Sequence, residues 1–181
     1  MIAGHDWFSP TRVTGLIAYT VSFSACALRW FASRRRGDAS GIWLLLSGLQ
    51  LGLVVDVAFD LRWKLHAFWM ARAMARDVYS ERRSPQLFAL AVLAGLLILG
   101  CAAIQRRFRR RRGVAVAMTG TMLSVGLWCC ETLSYHYMDL VLYRTVGALM
   151  VVSLLWVGLA VTTLIGVLLE QRSPRSGLRR V

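Results

Sequence analysis

Leu87-Phe88-Ala89-Leu90-Ala91-Val92-Leu93-Ala94-Gly95-Leu96-Leu97-Ile98-Leu99-Gly100-Cys101-Ala102-Ala103-Ile104 carries no charge along its whole length, and arginines crowd residues 106–112 directly after it. At ~1.5 Å per residue such a run coils into a helix nearly as long as the ~30 Å hydrocarbon core of a bilayer is thick. Similar runs lie to either side, at 13–32, 41–59, 114–133 and 146–168. The composition agrees: 57% of the 181 residues are hydrophobic. A soluble domain of this size holds fewer apolar residues and spreads them periodically. The expected fold is therefore an all-α membrane protein, one integral domain of five transmembrane helices.

The arginines lie between these runs and alternate in density. Segments 29–36, 106–112 and 172–180 hold 14 basic residues against Asp38 and Glu170. The other connections and ends hold Arg12, Arg62, Lys64, Arg72, Arg76, Arg82, Arg83 and Arg144 against seven acids. Lys and Arg near span ends are retained on the cytoplasmic side, which predicts the N-terminus outside and the C-terminus inside a bacterial inner membrane. On this reading the net charge of +13 anchors helix ends and contacts anionic lipid; it does not bind nucleic acid. A looser match, Phe23-Ser24-Ala25-Cys26 as a lipoprotein cleavage box, would leave 34–36 on the outer side and is disfavoured. Cys26, Cys101, Cys129 and Cys130 read as small packing residues, since adjacent cysteines rarely bridge.

Between the second and third runs, residues 60–83 predict an amphipathic helix lying in the headgroup region. Phe59, Trp63, Ala67, Met70 and Met74 recur at 3- and 4-residue steps as one apolar stripe, with Arg62, His66, Arg72 and Arg76 elsewhere on the surface. Ser84-Pro85 is expected to end it. In the second run, Gly48 and Gly52 offer a small-residue face for close helix approach, and Gln50 a hydrogen bond between helices.

Chemistry-bearing groups collect on the predicted outer side. Asp56 and Asp60, one turn apart, are expected to project from one face. An aspartate within an apolar run marks a site, or else pairs with an arginine such as Arg62 or Arg144. His136 and Asp139 share a helical face and suit a metal or an acid–base pair, while Glu131 points elsewhere. Candidate catalytic groups are Asp56, Asp60, Glu131, His136 and Asp139; candidate ligands of a divalent metal are His136, Asp139, Asp56, Asp60 and His66. Haem on His66 and His136 is disfavoured, because membrane bundles usually hold haem within the spans. Arg72, Tyr79, Arg82 and Arg83 suit a phosphate or carboxylate headgroup. No repeat is present and no helix break marks an ion site near the midplane, which disfavours a transporter.

Three motifs in order, Asp56-x3-Asp60, Tyr79-x2-Arg82-Arg83-x2-Gln86 and Ser134-x-His136-x2-Asp139, resemble a family of small bacterial polytopic inner-membrane proteins. The resemblance covers about residues 40–170. It implies a membrane-embedded fold and brings no chemistry with it. The chain departs from that pattern at Ala71 and Asp77, where the family has Gly, and at Glu131, where it has Arg. Ser134, His136 and Asp139 are also faintly similar to membrane hydrolases such as alkaline ceramidases, but five spans and three histidines fall short of that zinc site. Two functional expectations follow. One is a non-enzymatic subunit or accessory protein that docks another membrane protein, a lipid headgroup or a small ligand on its outer face. The other is a membrane-embedded, metal-dependent hydrolase or transferase acting on a lipid at the outer leaflet.

Overall fold

A computed structural model describes residues 9–36, 41–75, 83–133 and 136–172, without the side chains of Ala73, Arg83 and His136. Helices α1 (Pro10–Arg35), α2 (Gly41–Phe59), α3 (Leu61–Ala75), α4 (Arg83–Arg107), α5 (Arg112–Leu133), α6 (His136–Leu142) and α7 (Val151–Arg172) follow in order, with a small hairpin, β1 (Thr145–Val146) and β2 (Leu149–Met150), before α7. Five of these helices, α1, α2, α4, α5 and α7, are long and apolar enough to cross a membrane. Ser9 caps α1 by accepting from the Arg12 amide, and Pro10 opens the helix where its missing N–H costs nothing.

Helices α1, α2, α5 and α7 form the bundle, and α4 packs on its flank against α5. None of the central apolar window of α4 is buried within the chain. The bundle has two apolar clusters, one toward each end. Cys26, Trp43, Leu46, Val114, Ala117 and Val167 form the cluster at the arginine-rich end. Tyr19, Leu53, Val57, Leu142, Val152 and Trp156 form the one at the end where α3 joins. Between them, buried Gln50 on α2 donates to the Thr121 hydroxyl on α5 at 3.1 Å, the interhelical bond expected of it.

Small residues set the closest approach, but not the ones expected. A methyl group added to Gly48 or Gly52 would meet nothing within 4 Å. The tight contact is between α5 and α7. There a methyl on Gly166 would strike the Ala117 backbone, one on Gly113 the Glu170 backbone, and one on Gly120 the Thr163 hydroxyl at 2.6 Å. Without a hydrophobic driving force between helices in a bilayer, such backbone proximity is what dispersion and polar contacts need.

Several boundaries differ from the sequence reading, three of them with structural consequences. The last span starts at Val151, not 146, because residues 145–150 fold back as a hairpin around Gly147 at φ +63°. Val146 and Leu149 look like span residues by hydropathy but serve the hairpin. Pro85 does not end the preceding helix; it lies in the first turn of α4, which starts at Arg83, where proline is tolerated. Finally, Asp60 is not a helical residue one turn beyond Asp56. Its φ of +53° ends α2 in the left-handed region, and Lys64 N–H donates to its carbonyl to begin α3.

Candidate functional site

The two aspartates therefore part company. Asp56, within the last turn of α2, is 3% exposed and faces back under the start of α3. One of its oxygens accepts from the Arg62 amide at 2.8 Å, supplying an acceptor to an otherwise orphan N–H in the first turn of α3. The other accepts from Arg62 Nε at 2.7 Å. Arg62, expected on the surface, is 5% exposed and lies among helices. Its Nη1 pairs with Glu131 on α5, and its guanidinium lies 4.9 Å from the ring centroid of Trp156 on α7. Trp156 Nε1 in turn donates to the other Glu131 oxygen at 3.0 Å.

The result is a closed set of partners in which one guanidinium bridges two carboxylates and an indole fixes the second. Burial opposes the charged form of Arg62, but Glu131 and then Asp56 outweigh it and hold its proton affinity above the ordinary arginine value. Buried charges persist only when paired and hydrogen-bonded in this way. The Tyr19 ring lies tilted against Trp156, centroids 6.1 Å apart, and Gly15 leaves room for the indole: an added methyl would be 2.6 Å from the ring.

Asp60 takes a different arginine. Arg12 on α1, 8% exposed, pairs with Asp60 at 3.1 Å and also donates to the Ala58 carbonyl near the end of α2. One cation thus closes a carboxylate and a helix-terminal carbonyl. Tyr143, just past α6, packs on Trp63 of α3 at 5.4 Å. Its hydroxyl has no hydrogen-bond partner among the described residues, and burial, followed by the nearby Glu131 carboxylate, pushes its phenol well above the usual tyrosine range.

The remaining described candidates lie elsewhere on α3, α4 and α6, with Asp139 near enough to Tyr143 to raise its phenol further. Asp139 is half-buried on α6, His66 is half-buried on α3 with its ring edge-on to Trp63 at 6.4 Å, and Arg72 is exposed further along α3. The His136 backbone opens α6, whereas its side chain, like that of Arg83, lies outside the description. Tyr79 and Arg82 fall outside the described residues altogether, as does Ser134. Among the described residues no three His, Cys, Asp or Glu groups gather as metal ligands.

Sequence reasoning offered Asp56, Glu131 and Arg62 separately, with Arg62 as one possible ion partner. It missed Trp156, Tyr19 and Arg12 as members of the constellation. Only Arg12 had a legible signal, as an arginine directly before an apolar run.

The surface of α3 complements this buried set. Trp63, Phe68, Trp69, Met70 and Met74 are all exposed, with Trp69 at 57%. The predicted apolar stripe is thus not buried on the bundle; the residue that α3 buries is its arginine. No family model, curated protein or solved structure matches the chain.

Proposed function

We propose that the protein is a non-enzymatic integral membrane subunit or accessory protein whose α3 face docks a partner. The partner class is another membrane protein, a lipid headgroup or a small ligand. One observation carries this reading: Arg62 fixes the start of α3 into the bundle through Asp56, Glu131 and Trp156, while the aromatic and methionine side chains beyond it remain uncovered. A helix held rigidly at one end and apolar on its free surface is built to present that surface. Three of the four carboxylates that would serve an enzyme, Asp56, Asp60 and Glu131, are each engaged by arginine, which supports a scaffold over a catalyst.

The arginine distribution supports placing the α3 face on the periplasmic side of a bacterial inner membrane, N-terminus out and C-terminus in, with α3 as an amphipathic interfacial helix. A photoreactive residue at Trp69, activated in native membranes, tests the proposal. It should give a discrete protein or ligand adduct that the same probe at Leu99 on α4 does not give. Identical adducts from both positions, with the protein purifying alone, would overturn it.

A further inference from the structure

We propose that the turn joining α4 to α5 is a binding site for the phosphate of an anionic amphiphile, with the apolar part of that ligand against Ala115 and Val116. The site is at the opposite end of the bundle from α3 and does not depend on the reading above. A cavity of about 440 Å³ opens there, lined by Gln105, Arg106, Phe108, Arg109, Arg112, Ala115 and Val116. The chain reverses tightly to build it: Phe108 N–H donates to Ile104 C=O at 2.9 Å and Arg111 N–H to Phe108 C=O at 2.8 Å.

Six arginines lie in and beside this turn, and Arg107 rests over the Phe108 ring at 5.7 Å. Arg111 donates to Glu170 on α7 through Nε at 3.0 Å and Nη2 at 2.7 Å. Arg106, Arg109 and Arg112 line the cavity and pair with no carboxylate among the described residues. Three guanidinium groups lining one small cavity repel one another until an anion enters. Their planar donor forks match phosphate oxygens in pairs.

The rest of the lining selects an amphiphile over a free anion. Phe108 is partly buried against the apolar cluster at this end, Ala115 is 2% exposed and Val116 is half-buried. Gln105 bonds across to Thr119 on α5 at 3.1 Å, which ties the two helices together beside the opening. The exposed flank of α4 leaves the cavity approachable from the apolar surface as well as from the polar end. The ordinary arginine run at 34–36 contrasts with this: its described neighbour is Trp30, under Arg34 at 5.8 Å.

The full chain, purified in detergent and stripped of lipid, is titrated with phosphatidylglycerol, phosphatidylcholine and glycerol 3-phosphate, and native mass spectrometry counts the bound molecules. Phosphatidylglycerol should bind at least about tenfold more tightly than the other two, the scale of one lost charge-assisted contact set. Arg106→Gln, Arg109→Gln and Arg112→Gln combined should remove that preference, while the matched change at 34–36 should leave it intact. Val116→Trp, which fills the cavity without altering charge and is independent of the triple variant's folding, should weaken phosphatidylglycerol by a similar factor. Equal losses in the two triple variants, or undiminished binding in Val116→Trp, would overturn the site. Glycerol 3-phosphate binding as well as the lipid would overturn the amphiphile and leave a free phosphate site.

Discussion

The two ends of this bundle handle charge in opposite ways. Where α3 joins, Asp56, Arg62 and Glu131 are each at most 5% exposed and satisfy one another across α2, α3 and α5, with Trp156 of α7 closing the set. At the other end the arginines outnumber the acids, most are exposed, and the described ion pair is Arg111–Glu170, with the Arg111 side chain 40% exposed. In the first case charge is internal structure. In the second it is surface, free to meet lipid or solvent. A buried pair costs much to break because the remaining partner keeps its charge without water, whereas an exposed one loses little.

This contrast can be broken first at Arg62. Replacing Arg62 by Ala strands two buried carboxylates and should destabilise the protein by about 3–5 kcal/mol, read as a fall in unfolding midpoint in detergent. Combining Arg62→Met with Asp56→Asn and Glu131→Gln should recover most of that loss, since removing every charge leaves none unpaired. If the triple variant were no better than Arg62→Ala, the charges would not be what matters there.

The backbone contact of α5 with α7 comes next. Gly166→Ala should cost about 1–3 kcal/mol by pushing α7 off the Ala117 backbone. Gly48→Ala, which meets open space within the chain, should stay within about 0.5 kcal/mol. A large loss from Gly48→Ala alone would show that another molecule covers that face of α2.

The smallest effect belongs to the arginine-rich end. Glu170→Gln should change stability by less than about 1 kcal/mol, because the Arg111 side chain it releases remains solvated. A loss as large as that of Arg62→Ala in the same unfolding assay would erase the distinction between the ends.

Much of this was legible in the residues, and unevenly so. The second span matches its expected bounds, 41–59, residue for residue, because a glycine opens it and a polar Asp60 closes it. The last helix starts five residues after the expected 146, because Val146 and Leu149 are as apolar in a hairpin as in a helix. Asp56 was legible as anomalous, yet its partner was open between Arg62 and Arg144. The left-handed turn at Asp60 decides it by folding α3 back over the end of α2. Nothing in the order of residues links Glu131 to an arginine 69 positions away.

The chain by itself determined that there are five apolar helices and which connections are crowded with arginine, because hydropathy and charge are properties of short segments and need no neighbour to be evaluated. Only the tertiary structure decided that Arg62 is buried, that Gly113, Gly120 and Gly166 rather than Gly48 and Gly52 set helix contact, and that Trp156 completes the polar cluster. Those outcomes depend on the rotation and register of α5 and α7 against α2, which arise from packing over distances that no local pattern encodes.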